Sequence, residues 1–193
     1  MPSDYCFLTA RLGARKSEAA DAKYVHTLWT SPAVMGPVGF SRGLPISVGE
    51  VRRQIVEGPR DDFGSLLIAE DRLTRTPIGQ AKLGIPNDEG ICEPDIKLHP
   101  SVWGNGYGSE LWLALIDYAF AHSDARIVQG TPNCHNTASV RMQMGAGMVK
   151  VEEGVFENHV GQIPGAVPVP YLKLQITRAQ WQSRRPLNPK EDA

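Results

Sequence analysis

Hydrophobic positions recur along this chain with two periods, and the switches between them mark out its elements. Residues 6–12 form a short apolar stretch that predicts a first strand. Ala20, Tyr24, Val25 and Leu28 share one helical face, predicting a helix over 17–29 with Ser17 placed to cap it. Residues 31–44 are rich in Pro and Gly and read as a loop. Ser47-x-x-Glu50 has the form of a capping box, so a second helix runs to Glu57 and stops at Gly58-Pro59. Three strand patterns follow, 65–70, 78–85 and 91–98, separated by turns at 74–77 and 86–90. They form an antiparallel meander that Pro100 ends.

The next helix covers 108–122, with Leu111, Leu115 and Tyr118 on one side and Trp112, Ile116 and Phe120 on an adjacent side. A helix this apolar packs on a sheet. A short strand at 126–130, a helix at 136–144 and a strand at 148–156 come after it. Residues 158–170 read as a loop, 171–176 as the last strand, and 182–193 as a polar, mobile tail. The order β-α-α-β-β-β-α-β-α-β-β describes one α+β domain over 1–181 with a mixed, mostly antiparallel sheet flanked by helices. Its strand-helix-strand unit after the meander is expected to be parallel and right-handed.

Composition narrows the class. Of 193 residues, 41% are hydrophobic, enough for a folded core. The net charge of −1 argues against a broad nucleic-acid-binding face. Neither a signal peptide nor a stretch long enough to span a bilayer is visible, so no membrane partner is expected. The three cysteines, Cys6, Cys92 and Cys134, have no close pairing, which fits a reducing cytoplasm. The five histidines lack metal-ligand spacing, and no metal is expected.

The chemistry concentrates in V-W-G-N-G-Y-G-S-E, Val102 to Glu110, between the third meander strand and the long helix. Gly104, Gly106 and Gly108 allow positive φ and close approach of a ligand. Helix N-terminal N–H groups and the helix dipole make such a turn a site for phosphate or pyrophosphate. The G-x-G-x-G spacing is not the dinucleotide G-x-G-x-x-G, and no Lys makes it a P-loop. A tight turn without a ligand remains the alternative for these glycines alone.

The segment I-K-L-H-P-S-V-W-G-N-G-Y-G-S-E-L resembles the acetyl-CoA-binding motif of the GNAT N-acetyltransferase superfamily, [QR]-x-x-G-x-[GA], with Trp103 to Gly108 in its six places. Trp103 stands where Arg or Gln is common, and W-G-x-G-Y is similar to the branch that includes ribosomal-protein N-terminal acetyltransferases. Asn136, Ser139, Gly147 and Met148 resemble that branch's N-x-x-S…G-F segment. The likeness covers 6–181 and implies a GNAT-like fold whose central parallel strands splay apart.

It also implies acetyl-CoA as cosubstrate and an amine acceptor, either a small molecule or a protein N-terminus. Leu98, Val102, Trp103, Gly104, Asn105, Gly106, Tyr107, Gly108 and Ser109 would hold the cofactor's pyrophosphate and the start of its pantetheine arm, and Asn136 and Ser139 would meet that arm further along. The alternative reading of Asn136 is a helix cap. Glu93 is the implied general base, with Asp95 on the same strand face or paired with Lys97. Relatives carry a Tyr seven residues after the Asn; here Gln143 stands there and Ser139 is the remaining hydroxyl. Phe40, Arg42, Asp95 and Tyr171 are candidates for the acceptor site. A monomer or homodimer is compatible with the sequence, and a non-catalytic acyl-CoA-binding or regulatory module is the rival reading.

Overall fold

A computed structural model describes residues 5–157 and 160–184. Two sheets share its core. One has five strands in the order β1-β2-β3-β4-β6, and the other has four in the order β5-β7-β9-β8. The strands are β1 (Phe7–Leu8), β2 (Leu12–Lys16), β3 (Leu67–Asp71), β4 (Pro77–Lys82), β5 (Ile91–Cys92), β6 (Asp95–Leu98), β7 (Ile127–Gly130), β8 (Val149–Phe156) and β9 (Val169–Thr177). Every pairing is antiparallel except β5 with β7. This is a single GNAT-like α+β arrangement.

Residues 91–98 depart from the expected single strand in a way that shapes the molecule. The stretch breaks at Glu93-Pro94. Before the break, β5 pairs in parallel with β7; after it, β6 pairs antiparallel with β4. Pro94 has no N–H to give a ladder and its ring fixes φ, so the strand cannot pass through with continuous pairing. One length of chain thus belongs to both sheets, and they part from each other beyond it. Gly84 lies against the break at φ +80°, where an added Cβ would stand 2.6 Å from the Glu93 carbonyl oxygen.

Helices fill both faces. α4 (Tyr107–His122) buries Leu111, Trp112, Leu115 and Ile116 in the main core with Leu12 and Leu67 from the first sheet and Val128, Leu174 and Ile176 from the second. α1 (Ala22–Trp29) and α3 (Val48–Glu57) cover the opposite face of the five-stranded sheet, packing Val25, Val51 and Ile55 with Ile68. α5 (Thr137–Gly145) and α6 (Arg178–Arg184) complete the helices with the short α2 (Pro32–Met35). Arg178 fastens α6 below the end of α4, its guanidinium donating to the carbonyls of Ser123 (2.7 Å) and Ala125 (3.0 Å). Among the described residues no helix is long and apolar enough to cross a membrane.

Several boundaries differ from expectation for local reasons. The strand expected over 6–12 is a hairpin whose turn contains neither Gly nor Pro. Thr9 closes that turn instead, its backbone N–H donating to the Leu12 carbonyl (2.8 Å) and its side-chain hydroxyl accepting from the Leu12 N–H (2.9 Å). Ser17 caps no helix; a 3-10 turn (Ala19–Asp21) precedes α1, and Glu18 and Asp21 form its reciprocal box. The loop over 31–44 contains α2 and a second 3-10 turn (Gly36–Val38). Ser47 and Glu50 do form the capping box of α3. Residues 182–184 continue α6, while 185–193 lie outside the described residues, as do 158 and 159 of the expected loop.

Gly84→Ala should lower stability by about 1–3 kcal/mol, because it combines a strained φ with a backbone collision at the break. The urea-unfolding midpoint checks this, with Gly49→Ala as the control, since a Cβ at Gly49 meets nothing closer than 3.8 Å.

Candidate active site

A cleft of ≈ 700 Å³ opens where the sheets part. β6 forms one wall, residues 130–133 and α5 the other, and the glycine turn closes one end. Val34, Pro37, Phe156 and Val169 line the far end. β6 is the last strand of its sheet, so one edge is paired with β4 and the other has no strand beside it. An extended chain with amide groups can lie along such an edge as a further strand would.

Two of the turn's three glycines serve conformation and one serves packing. Gly104 and Gly106 have φ +78° and +79°, and a Cβ at Gly104 would touch nothing within 4 Å. At Gly108 an added Cβ would sit 3.3 Å from Met142 Sδ, slightly tight, and in ordinary contact with Leu98 Cδ1 (3.6 Å). Gly106 is the N-cap of α4, and no side chain caps that terminus. Its first-turn N–H groups and the positive end of the dipole are therefore available to an anion. Trp103 has its own function where Arg or Gln is common: its indole N–H donates to the Leu98 carbonyl (2.9 Å), fixing the turn to the end of β6. Asn105 does not line the cleft; its side-chain amide donates back to the carbonyls of Val102 (3.3 Å) and Trp103 (3.1 Å).

The turn is also clamped from β2's hairpin by a residue that sequence patterns did not single out. The Arg11 guanidinium donates to Glu110 Oε2 (2.7 Å) and to the Asn105 carbonyl (3.0 Å), and lies 4.3 Å over the Tyr107 ring. Burial opposes ionisation of Glu110, but hydrogen bonds from the Thr9 hydroxyl and the Arg11 N–H and guanidinium outweigh it and hold the carboxyl below its usual range. Nothing local in A-R-L marks Arg11, because its partners lie about a hundred residues away.

On the other wall, Asn136 is the N-cap of α5, its Oδ1 accepting from the Ser139 N–H (3.2 Å). Asn136, Ser139 and Gln143 all line the cleft. Gln143 is 4% exposed and lies so close to Gly130 that a Cβ there would stand 2.1 Å from its Oε1. Its Nε2 donates to Ser139 Oγ (3.3 Å), while its Oε1 is buried with no hydrogen-bond partner. A buried acceptor without a donor is costly. The open turn and the free strand edge together fit acetyl-CoA.

The carboxylates take different positions. Glu93, at the break, lines the cleft and accepts from Gln129 Nε2, whose Oε1 in turn accepts from Gln175 Nε2 (2.6 Å). Gln129 is the polar exception inside I-V-Q-G, a signal that gains meaning only once β5 and β7 are known to pair. Asp95 also lines the cleft, forms an ion pair with Lys97 and accepts from Gln80 Nε2 (3.3 Å). Gln80 is in turn held by the Trp29 indole N–H (2.7 Å). Cys92, beside Glu93, is inert: burial pushes its thiol up to about 12, and it donates to the Leu83 and Gly84 carbonyls.

Of the four residues expected to meet the acceptor, Asp95 alone lines the cleft. Phe40 packs with Leu28, Val34 and Met35 and bridges to Ala166. Arg42 lies against Gly165. Tyr171 stacks on Phe156 at 4.1 Å and donates to Glu152 (3.2 Å). Phe40 is thus engaged with its own helical cluster, Arg42 with the 160s loop and Tyr171 with β8, which residue type alone does not reveal.

Split sheets, an uncapped glycine turn and a strand edge facing it define an acetyl-CoA-dependent acyltransferase. Residues 11–149 match the acetyltransferase (GNAT) domain, and the chain belongs to that family. An uncharacterized N-acetyltransferase, p20 of Bacillus licheniformis, is 27% identical over 140 residues, covering 69% of this chain and 76% of its own. The fold is similar to spermidine N-acetyltransferase from Vibrio cholerae, solved with CoA and spermine: TM-score 0.76, 19% identity, 90% of this chain and 99% of that one. It is also similar to AAC(6')-Ib solved with ribostamycin and coenzyme A, with TM-score 0.69, 18% identity, and coverage of 92% and 99%.

Arg11→Ala should weaken CoA binding about 5–10-fold, the scale of one charge-assisted clamp lost from the turn. Isothermal titration with CoA measures it; an unchanged affinity would show that the turn holds its shape without Arg11.

Proposed function

We propose that this chain moves the acetyl group of acetyl-CoA to a primary amine by direct attack within a ternary complex, with Glu93 as the general base. The observation that carries this reading is the placement of Glu93 at the break between the sheets, lining the same cleft as the uncapped turn. An alkyl ammonium has a pKa near ~10.4 and must lose a proton before it attacks a thioester. Glu93 takes that proton, directly or through a water, while Gln129 holds its carboxylate in place. The new C–N bond forms as the C–S bond breaks, and the sulfur leaves with the electron pair.

Gln143 has no acidic proton for that sulfur. Ser139 Oγ accepts from Gln143, so its own O–H is directed elsewhere, and it donates to the leaving thiolate. β6 offers its open edge to the amides of the pantetheine arm. The resemblance of Trp103 to Gly108 and of Asn136 and Ser139 to the ribosomal-protein branch adds protein N-termini to the small amines to be assayed.

Thiol release from acetyl-CoA in the presence of an amine panel is the direct test. A chain that binds CoA but turns over none of the amines would instead be a binding module. Glu93→Gln should reduce kcat about 10²–10³-fold with the CoA dissociation constant unchanged. Full activity in that variant would remove Glu93 from the role.

A further inference from the structure

A second cavity, of ≈ 460 Å³, lies on the α1/α3 side of the five-stranded sheet. Asp95 and Lys97 line both it and the cleft, so the two spaces meet at β6. The register of β4 and β6 sets Lys82 opposite Asp95 and Gln80 opposite Lys97, which puts these four side chains on one face. Trp29, Met35, Leu44 and Ile46 supply an apolar wall above them.

The charges in this cavity are unequal. Asp95 faces Lys82 across the strands yet forms its ion pair with Lys97, and Lys16 is paired with Asp62. Among the described residues neither Lys82 nor Arg60, both lining the cavity, has a carboxylate within ion-pair reach. The pocket therefore joins one carboxylate at the wall shared with the cleft, an unneutralised ammonium beside it, and an apolar surface. A polycation would meet like charge here.

We infer that this cavity is the acceptor pocket and that it takes an amino-acid-like amine: an ammonium and a carboxylate one or two carbons apart, with an apolar side chain. Directly opposed residues on paired strands are about 5 Å apart, the spacing at which one small molecule gives its ammonium to Asp95 and its carboxylate to Lys82. The side chain then lies on Trp29 and Met35, and Arg60 adds to the field favouring the anion. This inference rests on the acetyl transfer proposed above and names its substrate class.

The test is steady-state acetylation of phenylalanine, of 2-phenylethylamine, which is the same molecule without the carboxylate, and of spermidine. The kcat/KM for phenylalanine should exceed the other two at least tenfold. Lys82→Glu should cut that value at least tenfold while leaving CoA affinity unchanged, and Lys82→Arg should retain most of it. Preference for 2-phenylethylamine or spermidine, or indifference to Lys82→Glu, overturns the pocket assignment and leaves acetyl transfer standing. No turnover with any of the amines, with CoA binding intact, overturns the acetyl transfer and this inference together.

Discussion

The break at Glu93-Pro94 is the constraint on which the rest of the molecule depends. A sheet running unbroken from β4 to β7 would be closed across its middle, with every ladder group paired and no room for a ligand. Withdrawing one N–H and one strand direction at Pro94 leaves β5 bonded to β7 and β6 bonded to β4, with a gap below them. The main core bridges the gap from beneath: α4 packs Leu111 and Leu115 with residues of both sheets, so the sheets part without separating. Replacing such a side chain with Ala commonly costs about 2–5 kcal/mol, far more than any one contact in the cleft, so the divergence is a rigid property of the fold.

The same helix gives the cleft its polarity. α4 starts at Gly106, with its uncapped terminus turned to the gap, and every element that touches the turn limits its movement. Trp103 ties it to the end of β6, Asn105 folds back on its carbonyls, and Arg11 with Glu110 joins it to the first hairpin. Preorganisation of this kind matters because backbone N–H groups attract an anion well only when they are already aimed at one point. Of the three glycines only Gly104 and Gly106 have φ > 0, while Gly108 lies where α4 passes Met142 and Leu98.

Sequence patterns reveal elements whose signals are local. The period of α4, the Ser47/Glu50 box and the spacing of the glycine turn are properties of short windows, and the structure has them where the windows do. The hairpin at Thr9 was not legible because its turn is closed by a hydroxyl rather than by Gly or Pro. The break in 91–98 was hidden for a different reason: Pro94 was in plain view, but an apolar run reads as one strand until its two partners are known. Residues that act across long separations were the least legible. Arg11 reaches Glu110, and Gln129 reaches Glu93, through pairings that no window of sequence contains. Phe40, Arg42 and Tyr171 show the converse, since side chains suited to a pocket are taken up by neighbouring loops and strands.

Likeness to enzymes solved with spermine or with ribostamycin shows the fold and not the acceptor. The machinery of the cleft is backbone: a break, a strand edge, a helix terminus. In the pocket proposed for the acceptor, Lys82, Lys97 and Arg60 stand around a single carboxylate. A cation-binding pocket needs an excess of acceptor oxygens, and this one has an excess of donors. The proposed pocket and the cleft share Asp95 and Lys97, so the pairing of these two side chains with each other sets the charge that an acceptor meets where the two spaces join.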